Sequence, residues 1–192
     1  MLRLKNAILI FVSFIGLSAC GDQFTQTPIE FRNHQTDRAS GSLEADPNLD
    51  LMLDAAESKA SPDGLVILKT ARSMILNGIV LPGDCWHYIN AVYNRASVSE
   101  INRATPFKGV KLGPYAATGD VQAGDWLYFI NHSYGDIEHS GIFIDWIDIE
   151  KREALVMSYP GGNRMLPARY STYELTSIYN VMRPKPKSAK PQ

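Results

Sequence analysis

Across residues 63–184 the apolar pattern changes period once, from helical to alternating, and that switch restricts the fold more than any other feature of the chain. Leu65, Leu68, Ala71, Ile75 and Leu76 recur at helical spacing, which predicts a helix over 63–77 stopped at Gly78. After a turn at Pro82-Gly83, Asp84 is placed to cap a second helix over 85–95, on which Cys85, Ile89 and Val92 share a face. A loop containing Pro106, Gly109, Gly113 and Pro114 follows. Strands are then expected at 126–130, 139–147, 154–159 and 177–182, separated by turn signals such as Gly124-Asp125 and Pro160-Gly161-Gly162. On the second strand Ile142, Ile144 and Trp146 should share one face, with His139, Gly141, Phe143 and Asp145 on the other. Helices first and strands second, with hairpin-sized connections, argue for an α+β fold with N-terminal helices packed on an antiparallel β-sheet.

The ends carry a different message. Arg3 and Lys5 precede an apolar run over 7–17, then Ser18 and Ala19, then Cys20. A positive start, an apolar segment and small residues are the marks of a secretory signal peptide, and the run is shorter than the roughly 20 apolar residues that span a bilayer. Leu17-Ser18-Ala19-Cys20 resembles the lipobox of bacterial lipoproteins. That resemblance implies lipid on Cys20, a new N-terminus there, and anchoring to a membrane of the cell envelope.

Residues 20–62 are polar and poor in large apolar side chains, which suggests a flexible tether, with room for a short helix over 49–58. Residues 185–192 read as a basic, proline-rich disordered tail. One domain over 63–184 remains, expected to act as a monomer. The full chain has net charge −1, and removal of the signal leaves 17 basic and 20 acidic residues. That balance excludes the strongly basic face of a nucleic-acid binder. No set of His, Cys, Asp or Glu has the spacing of a metal site, and no cofactor is expected.

The chemistry centres on cysteine. The chain has two, Cys20 and Cys85. Export favours disulfides, but lipid on Cys20 would leave Cys85 a thiol, and such a thiol in an exported protein is a candidate nucleophile. At the first turn of a helix the amide N–H groups and the macrodipole favour thiolate, and the same N–H groups can hold an oxyanion. A nucleophile needs a base, and that base needs an orienting group. His34 falls in the tether, His87 points from another face of the Cys85 helix, and His132 lies in the loop after the first strand. His139, at the head of a strand, is the best base.

Gly83-Asp84-Cys85 opening a helix, then Gly124-Asp125-Trp126-Leu127-Tyr128-Phe129, then His139-Ser140-Gly141-Ile142-Phe143-Ile144, is similar in order and spacing to the NlpC-type cell-wall cysteine peptidases. With the related CHAP amidases, these have a small papain-like fold. The resemblance covers roughly 80–160 and a closing strand ending in Arg183. It implies Cys85 as nucleophile, His139 as base, and amide hydrolysis in the peptide stems of peptidoglycan. The family's third polar residue falls near Ser158, with Asn163 or Asp145 as substitutes. The chain departs from the family in Trp86-His87 after the cysteine, where a small Ser-Gly pair is usual. It also lacks a tyrosine or glutamine shortly before Cys85 to complete an oxyanion site. Two other functions are consistent with these residues: an inactive binding or scaffold lipoprotein of the same fold, and a thiol acyl hydrolase or transferase acting on lipid esters.

Overall fold

The structure, a computed structural model, describes residues 47–186. The expected signal segment, the lipidation candidate Cys20, the first part of the tether with His34, and residues 187–192 lie outside the described residues. Three helices, α1 (Pro47–Lys59), α2 (Pro62–Leu76) and α3 (Cys85–Arg95), precede six strands. These are β1 (Arg103–Lys108), β2 (Trp126–Asn131), β3 (Ile137–Asp148), β4 (Glu153–Ser158), β5 (Arg169–Glu174) and β6 (Ile178–Pro184). They form one antiparallel sheet in the order β1-β6-β2-β3-β4-β5. The fold is α+β, with the helices leading.

Local chemistry sets the helix ends. The Ser61 hydroxyl accepts from the Gly64 N–H, Pro62 sits in the first turn, and Gly78 leaves α2 at positive φ. Asp84 caps α3 by accepting from the His87 N–H. On one sheet face Ile67, Leu68, Ile89, Val92 and Tyr93 of the helices pack on Trp126, Ile142, Ile144 and Met157. On the other, Leu127, Phe129, Phe143, Val156 and Val181 are covered by Ala116 and Val121 from the connection before β2. Each such buried side chain contributes roughly 1.5–3 kcal/mol.

Four local features differ from the sequence expectation. Helix α1 forms where the stretch read as a tether left room for a short helix at 49–58, but it is docked and not free: Leu53 and Ala56 are buried in the helix-side core. Arg72 of α2 reaches its acids at Asp50 (2.9 Å), Asp54 (2.6 Å) and Glu57 (3.4 Å). Two apolar residues and three acids on one helical face seat the helix, a pattern that a low apolar content conceals. Residues 103–108 and 169–174 form the two edge strands β1 and β5, where no strand was expected. Pro106 lies in the irregularity between Ala104 and Phe107, a place where a sheet tolerates proline. Lys185, expected to open the tail, donates its N–H to the Asn102 carbonyl (2.8 Å) and its ammonium to that of Ile101 (2.7 Å).

The fourth is a bulge in β3. Phe143 pairs with Val156 but Asp145 pairs with Leu155, so one extra residue reverses the alternation. Trp146 therefore packs on Phe143, ring centroids 5.0 Å apart, and not with Ile142 and Ile144. Asp145 turns toward α1, where Lys59 meets it at 3.1 Å.

Asp125, expected to be a turn residue, is buried just before β2. It takes two hydrogen bonds from Arg183 of β6 (3.0 and 2.7 Å) and one from the Gln122 N–H (2.8 Å). Burial pushes its carboxyl up to about 6 from 3.8, with Arg183 pulling it back. A carboxyl raised on folding lends stability at low pH that is lost as pH climbs through the folded value. Without Arg183 that folded value rises further. Arg183→Met is therefore expected to cost about 3–5 kcal/mol near pH 7.5 and clearly less near pH 5, where Asp125 takes up a proton. Urea midpoints at the two pH values check this, and an equal loss at both would contradict it.

Candidate active site

Cys85 is the first residue of α3 and only 4 % exposed. The segment leading to it is clamped to the end of β4. The Tyr159 hydroxyl donates to the Leu81 carbonyl (2.6 Å) and accepts from the Leu81 N–H (3.0 Å). Tyr159 also stacks on Tyr88 of α3, centroids 4.3 Å apart. The Gly162 N–H donates to the Gly83 carbonyl at 2.8 Å. Both glycines are required here. A Cβ on Gly162 would lie 2.5 Å from the Leu81 carbonyl oxygen, and Gly83 has φ +99° with the His87 ring where its Cβ would be.

His139 stands on β3 opposite Phe129 of β2, whose ring meets it edge-on at 5.5 Å. Its Nε2 lies 3.3 Å from the Tyr173 hydroxyl of β5, and that hydroxyl donates to Ser158 Oγ of β4 at 3.0 Å. A phenol has one hydrogen to give. In the arrangement that puts that hydrogen on Ser158, Tyr173 accepts from His139, the ring proton sits on Nε2 and Nδ1 is the basic nitrogen. Burial pushes the Tyr173 hydroxyl above its ordinary range, with Ser158 pulling it back, so it stays protonated in neutral solution.

Cys85 and His139 line one cavity of about 190 Å³, together with Asp84, Trp86, Tyr128, Glu138, Ser140 and Tyr179. Burial lifts the Tyr128 hydroxyl to about 12, and the Cys85 charge acts in the same direction. Tyr173 and Tyr179 sense the charge of Cys85 as well, each after the larger effect of burial. Two hydroxyls in this cavity are thus suited to donate to an anion. Tyr128 stays protonated, and Ser140 Oγ is buried without a hydrogen-bond partner among the described residues. Glu138, on the cavity wall, is engaged by Tyr179 (2.7 Å) and Lys111. Burial alone would raise its carboxyl, but these contacts hold it below the usual range.

The expected residues divide into those the fold assembles and those it disperses. Cys85 and His139 share a cavity. Ser158, the expected third residue, hydrogen-bonds Tyr173, and it is Tyr173 that bonds the imidazole. Asp145 is carried away by the bulge to Lys59, and Asn163 is exposed in the turn Gly162–Arg164. His87 completes the cap of its own helix, its Nδ1 2.8 Å from Asp84. Burial alone would raise the Asp84 carboxyl, but the hydrogen bonds with His87 outweigh it and hold it low. That cap uses the His87 N–H, one of the donors that the sequence offered to an oxyanion.

His132 bridges Asp136 (2.6 Å) and Ser177 Oγ (2.7 Å), the connectivity of a serine triad. Ser177 is buried, and neither residue lines a cavity described here, so the trio clips the turn after β2 to the start of β6. Among the described residues no group of His, Cys, Asp or Glu is arranged to hold a metal ion.

Known proteins supply no precedent. The chain matches no family model, no curated protein and no solved structure.

Tyr173 escaped the sequence reading because its partners lie 34 and 15 residues away. The alternation Arg169-Tyr170-Ser171-Thr172-Tyr173 was the available signal for its strand. Tyr173→Phe keeps the ring and removes the hydroxyl that holds Nε2. At mildly acidic pH, iodoacetamide should label Cys85 about threefold to tenfold more slowly in this variant than in the wild type, and more slowly still in His139→Ala. Peptide mapping by mass spectrometry reads the rates, and equal rates in all three proteins would contradict the pairing.

Proposed function

We propose that the chain is an exported, lipid-anchored cysteine hydrolase of the bacterial cell envelope, with an NlpC-type, papain-like fold, that cleaves amide bonds in peptidoglycan stem peptides. One observation carries this reading. A cysteine at the head of a helix shares a cavity with an imidazole whose Nε2 is held by the half-buried Tyr173 hydroxyl, itself bonded to buried Ser158. The three motifs that resemble the family supply the substrate class, and the lipobox-like end supplies the anchor. Among the described residues no helix is long and apolar enough to cross a membrane.

In this mechanism Nδ1 of His139 takes the thiol proton and the Cys85 sulfur attacks the amide carbonyl carbon. Negative charge collects on the carbonyl oxygen, where the hydroxyls of Ser140 and Tyr128 are the donors at hand. The imidazolium returns its proton to the departing amine as the C–N bond breaks, leaving a thioester on Cys85. His139 then deprotonates a water that attacks the thioester. The acid product leaves and the thiol is restored. Tyr173 and Ser158 do not touch substrate in this scheme. They hold the ring in the tautomer that presents Nδ1.

Trp86 favours a second reading, in which the protein binds stem peptides without cutting them. It is 42 % exposed at the rim of the Cys85 cavity, where the related enzymes carry a small residue. Digestion of purified muropeptides separates the two. The wild type should release stem-peptide fragments, and Cys85→Ala should lose about a thousandfold or more of that activity. Equal release by both would exclude thiol catalysis. Binding without release by either would select the scaffold.

A further inference from the structure

His139 lines two cavities. The second, of about 170 Å³, is bounded by Tyr134 beyond β2, by Ser158 and Tyr173, and by Arg164 and Arg169. Arg169 pairs with Ser158 across β4 and β5, and directly opposed residues point to the same side of a sheet. Four residues along, an even step that keeps the same face, Tyr173 lies on that side too, in hydrogen-bonding contact with His139. Arg164 ends the short 3-10 turn Gly162–Arg164, whose first residue is tied to Gly83, two residues before Cys85. Two arginines are thus carried on backbone tied to the framework around Cys85 and His139.

Neither arginine forms a salt bridge with a described residue, and no acidic residue lines this cavity. Arg72, Arg103, Arg152 and Arg183 are, by contrast, each hydrogen-bonded within the fold. The cavity of Cys85 has the opposite lining, Asp84 and Glu138, and both of those acids are already engaged. The groove about His139 is therefore polarised, and the charge left without an acidic partner, on the exposed Arg164 and Arg169, is positive. A guanidinium presents a planar fork that matches a carboxylate, and two of them border one small cavity.

We infer that the lobe of Arg164 and Arg169 is a carboxylate-binding subsite, so that the substrate is a peptide with a free carboxylate close to the scissile amide. The inference rests on the hydrolase reading for what is cut, but not for what is bound. Calorimetry on Cys85→Ala, with a stem tetrapeptide whose carboxyl groups are free and with the same peptide amidated, tests binding without turnover. The free acid should bind about tenfold or more tightly than the amide. Arg164→Gln with Arg169→Gln in that background should abolish the preference and leave the amidated peptide's affinity unchanged. Equal binding of the two peptides, or a preference that outlives both arginines, overturns the subsite. Turnover by the protein with Cys85 intact separates the two ideas. Cleavage of both peptides with equal kcat/KM keeps the hydrolase and removes the subsite. A preference in binding with cleavage of neither peptide keeps the subsite and removes the hydrolase.

Discussion

The arrangement around Cys85 depends on how the end of β4 grips the segment before α3. Tyr159 holds both the N–H and the carbonyl of Leu81, and Gly162 holds the carbonyl of Gly83. A backbone bonded at these points leaves little freedom to the residue that follows. The gripping residues stand immediately after Ser158, which is itself joined through Tyr173 to His139. One stretch of chain, 158–164, thereby holds the segment before Cys85, reaches His139 through Tyr173 and delivers Arg164. A change at Gly162 or Tyr159 would act on chemistry that neither residue touches.

Asp84 sets a second constraint. It starts α3 at Cys85, and it does so by placing a carboxylate beside the sulfur and using the His87 N–H. The helix terminus is therefore less available to an oxyanion than a bare first turn would be. Donors from the sheet face the same cavity: the protonated Tyr128 hydroxyl and the unsatisfied Ser140 hydroxyl. Burial of an unpartnered hydroxyl costs stability, which a bound carbonyl oxygen would offset. In the proposed mechanism the helix contributes the nucleophile, and strands β2 and β3 contribute the surroundings that would stabilise charge on the substrate.

What the sequence made legible follows the range of each interaction. The starts of α2 and α3, the Asp84 cap and the core of β2, β3 and β4 are local patterns of spacing and capping, and they are found within a few residues of expectation. The placing of Cys85 at a helix start and of His139 near a strand start was also readable, and both residues line one cavity. What remained hidden is non-local or depends on a single inserted residue. The bulge at Ile144 reversed the faces of Asp145 and Trp146. Edge strands β1 and β5 carry too few apolar residues to stand out, and β5 brought the tyrosine that holds the imidazole. Helix α1 stands in a stretch that is polar overall, and it docks through Leu53 and Ala56 together with the ion pairs of Arg72.

The central claim is that one sulfur and one imidazole act on the same bound carbonyl. The most direct measurement is a crystal structure of the protein reacted with a peptide aldehyde, a reagent that traps an attacking thiolate as a thiohemiacetal. The account predicts a covalent bond to Cys85 Sγ, His139 Nδ1 within about 3.2 Å of the adduct, and Nε2 still directed at Tyr173. An unmodified Cys85, or an adduct with the imidazole turned away from it, would contradict the account.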